Sequence, residues 1–164
     1  MIDIATASDA EKTVLVLGAN AKKIRNHIDL HDIFVVQNHM WKDGLSYSIR
    51  TGLETMLQIN PQVEAVILML CDQPFLSAEV LNEIITKHIE TGKEIVNCCY
   101  DLSFGPPTLF YKSMFPRLMQ LTSSHGAKSI VQECPQNVTH VDFPKGNIDI
   151  DTTADYQSFL QNDA

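Results

Sequence analysis

No run of lysines or arginines occurs in the 164 residues, and 12 basic side chains face 20 acidic ones, a formal net charge of -8. Such a chain lacks the basic patch that holds a nucleic-acid backbone without sequence preference. A small phosphorylated ligand stays open to it, because a metal ion inverts the charge of its surroundings. Cysteine is scarce: Cys71, Cys98, Cys99 and Cys134 form no C-x-x-C pair, and no His stands at zinc-ligand spacing from them. The pattern excludes a zinc ribbon and reads as reduced core thiols of a cytoplasmic protein. No apolar stretch approaches the ~20 residues that span a bilayer, and no secretory leader is visible. G-x-S-x-G is missing, and no Ser-His-Asp arrangement is suggested by position. His39, just before Trp41, and His125, in Ser-Ser-His-Gly, read as surface or structural groups. There is no repeat, low-complexity tract or linker, and the hydrophobic content of 45% is that of an ordinary globule. One domain over residues 1–164 is the economical reading.

What is present centres on residues 65–74, AVILMLCDQP. Residues 65–71 are apolar without alternation, which predicts a central strand buried on both faces of a parallel sheet. Asp72 and Gln73 follow, and Pro74 stops the ladder. Open α/β sheets place their chemistry at the carboxyl ends of such strands. Asp72 is therefore the first candidate for a functional residue, as a metal ligand. Ser77 is better placed to cap the helix that follows.

Around this stretch, strands are predicted at 13–17, 33–36, 94–99, 108–111 and 139–143, the one at 108–111 antiparallel. Helices are predicted at 1–10, 19–28, 44–58, 77–90, 113–121, 127–134 and 153–160. Strand and helix alternate through short connections, the pattern of a parallel α/β sheet. In the 44–58 helix Leu45, Ile49, Leu53, Met56 and Leu57 repeat at helical spacing. Gly44 at its start allows close backbone approach to a base carbonyl or a phosphate. Leu76 and Leu81 fit a hydrophobic staple, and Thr152 with Asp155 fits a capping box. In Asn147-Ile148-Asp149-Ile150-Asp151, an extended backbone puts Asp149 and Asp151 on one face and turns both isoleucines to the core. Asp72, Asp149 and Asp151 together could hold a hard divalent cation, Mg2+, which takes one or two carboxylates plus waters and phosphate oxygens. For Asp151, N-capping of the last helix is an equal reading. The chemistry implied is nucleotidyl transfer.

Four stretches then resemble the MobA-like nucleotidyltransferases, above all those that act as molybdenum cofactor cytidylyltransferases. Residues 38–49, NHMWKDGLSYSI, resemble N-P-x-W-x-x-G-x-x-x-S; residues 70–74, LCDQP, resemble G-D-Q-P. Residues 105–110, GPPTLF, resemble G-x-P-x-L-F, and residues 147–152 resemble the closing D-I-D-T-P-E-D. The resemblance implies a three-layer, Rossmann-like fold of the nucleotide-diphospho-sugar transferase type. Its mixed sheet is mostly parallel, with helices on both faces. It implies transfer of CMP from CTP (or GMP from GTP) to molybdopterin with Mg2+ and release of pyrophosphate; a molybdoenzyme or its chaperone would be a further partner. By the same resemblance Asp72 is the principal metal ligand and Asp149 the second. Asn38, Gly44 and Ser48 lie near the base, and Gly105, Pro107 and Lys128 near the acceptor. A sugar phosphate or another acceptor, and a non-catalytic remnant, are the rival readings.

The family opens with a strand and a glycine-rich loop, L-A-A-G-x-S-x-R-M-G, and no such segment occurs in this sequence. About thirty residues, one strand-loop-helix unit, are missing relative to the family pattern. Its first strand would lie between the strands at 13–17 and 65–70. Those two are expected to close up and pair directly, since buried unpaired backbone groups are costly; a strand donated by a partner chain, or a sequence that is only part of a longer protein, are the alternatives. A narrowed crevice without its phosphate cradle would leave little or no transferase activity in the chain as written.

Overall fold

The computed structural model describes residues 1–29, 31–100, 103–122 and 126–162. His125 and its loop, and the start of the predicted 101–107 loop, lie outside the described residues. Six strands are present among the described residues: β1 (Thr13–Leu17), β2 (Ile33–Gln37), β3 (Ala65–Leu68), β4 (Ile95–Tyr100), β5 (Ser103–Tyr111) and β6 (Val138–Asp142). The helices are α1 (Ile2–Ala7), α2 (Ala21–Arg25), α3 (Leu45–Ile59), α4 (Ala78–Thr91), α5 (Phe115–Met119), α6 (Lys128–Glu133) and α7 (Thr153–Asn162). β1 pairs with β2 in parallel, and β4 with β6 in parallel. β5 runs antiparallel between β3 and β4, so the second sheet has the order β3-β5-β4-β6.

The layers follow from the two-residue period of the strands. Val66, Phe110, Ile95 and Val138 face one cluster, with Ile49 and Leu53 of α3, Leu118 of α5 and Ile130 of α6. Ile67, Leu109, Val96 and Val141 face the other, with Leu81 and Ile84 of α4 and Ile4 of α1. Each fully buried Leu or Ile contributes roughly 1.5–3 kcal/mol. This is a three-layer α/β fold with a mixed sheet and helices on both faces. No helix among the described residues is long and apolar enough to cross a membrane.

Direct closure of β1 on β3 does not occur. They belong to separate sheets, and among the described residues each has one ladder partner, β2 for β1 and β5 for β3. The reason lies in α3. Its Ile49 and Leu53 pack with Val66 and Leu68. At Gly52 an added Cβ would stand 3.0 Å from Cγ2 of Val16 in β1. One helix is thus seated on both sheets, and sliding β1 against β3 would unseat it from one of them. Among the described residues β3 has no second ladder partner, and every residue of β3 is half-buried rather than buried. The apolar run therefore forms an edge strand of four residues, sandwiched by helices but not central, and Cys71 is exposed.

Smaller differences have local causes. Leu45, the first residue of α3, is 53% exposed and does not join the apolar face that Ile49 and Leu53 bury. Ser77 precedes α4 without a side-chain cap, and the neighbouring Ser77 hydroxyl helps hold the Glu79 carboxyl below its ordinary range. The Thr152–Asp155 box forms in full, with Thr152 N to Asp155 Oδ2 at 2.7 Å and Asp155 N to Thr152 Oγ1 at 3.2 Å. Thr152, not Asp151, is thus the cap. The 147–151 segment is not extended throughout, since a turn carries Ile148 N to the Lys145 carbonyl at 3.2 Å. Ile148 accordingly points outward, 42% exposed, and only Ile150 is partly covered.

Candidate active site

Beyond Leu68 the chain leaves the ladder, and Pro74 offers no N–H to resume it. The Asp72 carbonyl instead accepts the Ile150 N–H at 2.8 Å. This bond seats the acidic 149–151 segment against the loop after β3. Asp72 Oδ1 is buried and has no hydrogen-bond partner. The Asp149 carboxyl is held above the usual carboxylate range, by burial first, then by the negative charges of Asp72 and Asp151. Among the described residues no group of three or more His, Cys, Asp or Glu side chains stands at metal-holding spacing, and Asp151 adds a negative charge that Asp149 feels. A buried, unpartnered carboxylate oxygen beside a second carboxylate is a hard-oxygen donor set. It fits Mg2+ or Mn2+, with waters and phosphate oxygens filling the other positions.

Behind Asp72 lies a buried polar knot. Gln73 is 2% exposed, and its Nε2 donates to the carbonyls of Gly146 at 2.7 Å and Pro106 at 3.1 Å, with Tyr100 Oη at 3.2 Å. Tyr100 in turn donates its hydroxyl to the Pro106 carbonyl. Burial pushes the Tyr100 phenol up to about 12, so it stays a donor. Four segments meet here: the loop after β3, the end of β4, the start of β5 and the turn after β6.

On the β1–β2 side, Asn38 is 3% exposed and joins Ser48 of α3, Nδ2 to Oγ at 3.0 Å. Its Oδ1 accepts the Met40 N–H at 2.8 Å, which shapes the turn toward Trp41. Gly44 has φ 112°, where a side chain would be strained, so glycine is required at the head of α3. At the carboxyl ends of β1 and β2 a shallow cavity of about 630 Å³ is lined by Gly18, Asn20, Lys22, Lys23, Gln37 and Trp41. Asn38 and Ser48 are thus brought together, with Gly44 at the head of the helix that carries Ser48.

The residues expected near the acceptor divide. Gly105 lies against Tyr100, whose Oη would be 2.8 Å from an added Cβ. Pro107 is fully buried, one residue after the Pro106 carbonyl that the knot uses. Lys128 is exposed at the start of α6, after Gly126, which lies against Leu45 of α3. It shares no segment with the Asp72 loop. The sequence reading missed Tyr100, Gly146, Lys22 and Lys23. Gly146, after Pro144-Lys145, carried a turn signal; the others carried none.

Solved structures share this fold. Rv0371c from Mycobacterium tuberculosis is 27% identical, with a TM-score of 0.79 over 98% of this chain and 81% of that one. The same protein in complex with manganese gives 26%, 0.76, 98% and 83%. Molybdopterin-guanine dinucleotide biosynthesis protein A from Archaeoglobus fulgidus, at 16% identity, has a TM-score of 0.62 over 93% of this chain and 80% of that one, a likeness of fold. No curated protein matches the chain significantly. The family described as MobA-like NTP transferase domain matches residues 1–139, which include Asp72 and the Asn38–Ser48 stretch but not Asp149. The chain belongs to the MobA-like NTP transferase family and is a nucleotidyltransferase of that type.

Proposed function

We propose that the chain joins CMP from CTP to molybdopterin and releases pyrophosphate, using a divalent cation held by Asp72 and Asp149. The observation that carries this reading is the buried, partnerless Asp72 Oδ1 beside the Asp149 segment. A phosphate oxygen of the acceptor attacks the α-phosphorus of CTP, and the bond to the β-phosphate bridging oxygen breaks. The cation, Mg2+ or the Mn2+ seen in the Mycobacterium tuberculosis protein, supplies charge neutralisation on the triphosphate. Asp72 and Asp149 orient it. Asn38, fixed by Ser48, and the Gly44 backbone face the base; on the acceptor side Gly105 lines the site, the buried Pro107 acts only by holding the chain beside it, and Lys128 reaches the acceptor from the separate start of α6. A sugar phosphate is the rival acceptor.

A second reading is favoured by the open edges of β1 and β3: weak binding of a nucleotide or a partner without turnover. One assay separates them. Purified chain is given labelled CTP or GTP, molybdopterin and Mg2+, and pyrophosphate release is followed beside equilibrium nucleotide binding. Metal-dependent release with CTP, lost in Asp72→Asn, supports the transferase. Nucleotide binding without release supports the second reading, and release undiminished in Asp72→Asn overturns the metal assignment.

A further inference from the structure

Neither carboxylate of the Asp72–Asp149 pair is fixed by a hydrogen bond of its own. Asp72 Oδ1 has no partner, and Asp149 lies in irregular chain after a turn. Their separation is therefore set by the two backbone segments that carry them. Two ties join those segments. One is Ile150 N to the Asp72 carbonyl at 2.8 Å, and the other is Gln73 Nε2 to the Gly146 carbonyl at 2.7 Å. The pair of ties brackets both acids, since Gln73 adjoins Asp72 and the Gly146–Ile150 stretch contains Asp149. Gln73 has two amide protons, and the Gly146 and Pro106 carbonyls take both. At 2% exposure the amide is closed off from bulk solvent, so its direction is set by these partners.

We propose that Gln73 is a positioning residue that sets the affinity of the Asp72–Asp149 pair for a divalent cation. This rests on the metal reading above, and its test separates the two. Mn2+ alone is titrated into the full chain by the free-ion electron spin resonance signal, with thermal melts in parallel. Gln73→Leu keeps the volume and removes both donors. It is expected to weaken Mn2+ binding by about tenfold or more, the usual effect of losing a group that orients a metal ligand. Leu118→Ala, in the opposite apolar cluster, lowers the melting temperature but leaves Mn2+ binding within about twofold, because distant sites act independently.

Equal Mn2+ binding by Gln73→Leu and wild type, or equal weakening by Leu118→Ala, would overturn the proposal. If Asp72→Asn abolishes Mn2+ binding while Gln73→Leu does not, the positioning role alone fails. If Asp72→Asn also leaves binding unchanged, the metal reading fails and takes the positioning role with it. Should Gln73→Leu not fold, Gln73→Met takes its place, with an unbranched chain and no donor for either carbonyl. It is expected to weaken Mn2+ by a similar factor, and no change would overturn the role.

Discussion

Gly146→Ala is the sharpest probe of how the acid-bearing turn is packed. An added Cβ would lie 2.2 Å from Cε1 of Tyr100 and 2.5 Å from Cδ1 of Phe143. Both rings are buried, 8% and 5% exposed, and pack edge to face with centroids 6.0 Å apart. Neither ring has a free end to swing away, so the turn or the rings must shift. Overpacking of this kind costs about 1–3 kcal/mol, and contacts this short belong at the upper end. At 2–3 kcal/mol, a chain of this size loses roughly 4–12 °C in melting temperature. Gly92→Ala is the comparison. It ends α4 at φ +62° with nothing within 4 Å of an added Cβ, so only left-handed backbone strain of about 1 kcal/mol applies. Urea denaturation and Mn2+ titration are run on both. Gly146→Ala is expected to lose stability and Mn2+ affinity together, and Gly92→Ala stability alone. Gly146→Ala within about 0.5 kcal/mol of wild type would refute the packing of Tyr100 behind the turn.

Two further outcomes are expected. Burial and neighbouring negative charge raise the Asp149 carboxyl, so its stabilising contribution is complete only while it is protonated, and is lost as pH rises through the raised value. Asp149→Asn therefore raises the melting temperature at neutral pH and matches wild type below the ordinary value of 3.8; an equal gain at both pH values in calorimetry would refute this. The amides on the free edges of β1 and β3 are expected to exchange hydrogen faster than those shared by β4 and β5. Uniform protection across all four strands would show that the edges are covered.

The sequence placed most elements, because the signals were local. Helical spacing marked α3 and α4, and the Thr152–Asp155 box marked the start of α7 to the residue. The adjacency of Asp72 to the 149–151 segment was legible from paired acids after apolar stretches. Ladder order was not. The 65–71 run reads the same in a central strand as in an edge strand between two helix layers, and only α3, seated on both sheets, decides which. The Gln73 knot was illegible for a related reason. Its acceptors are backbone carbonyls of Pro106 and Gly146, 33 and 73 residues away, and backbone carbonyls leave no trace in side-chain pattern.

The central claim is that Asp72 and Asp149 hold a divalent cation. It is tested most directly by soaking crystals of the chain in Mn2+ and measuring anomalous scattering at the manganese edge. The account requires a peak between the two carboxylates. A peak instead in the acidic groove of α4 and β6, among Glu79, Glu83 and Asp142, with none beside Asp72, would contradict it.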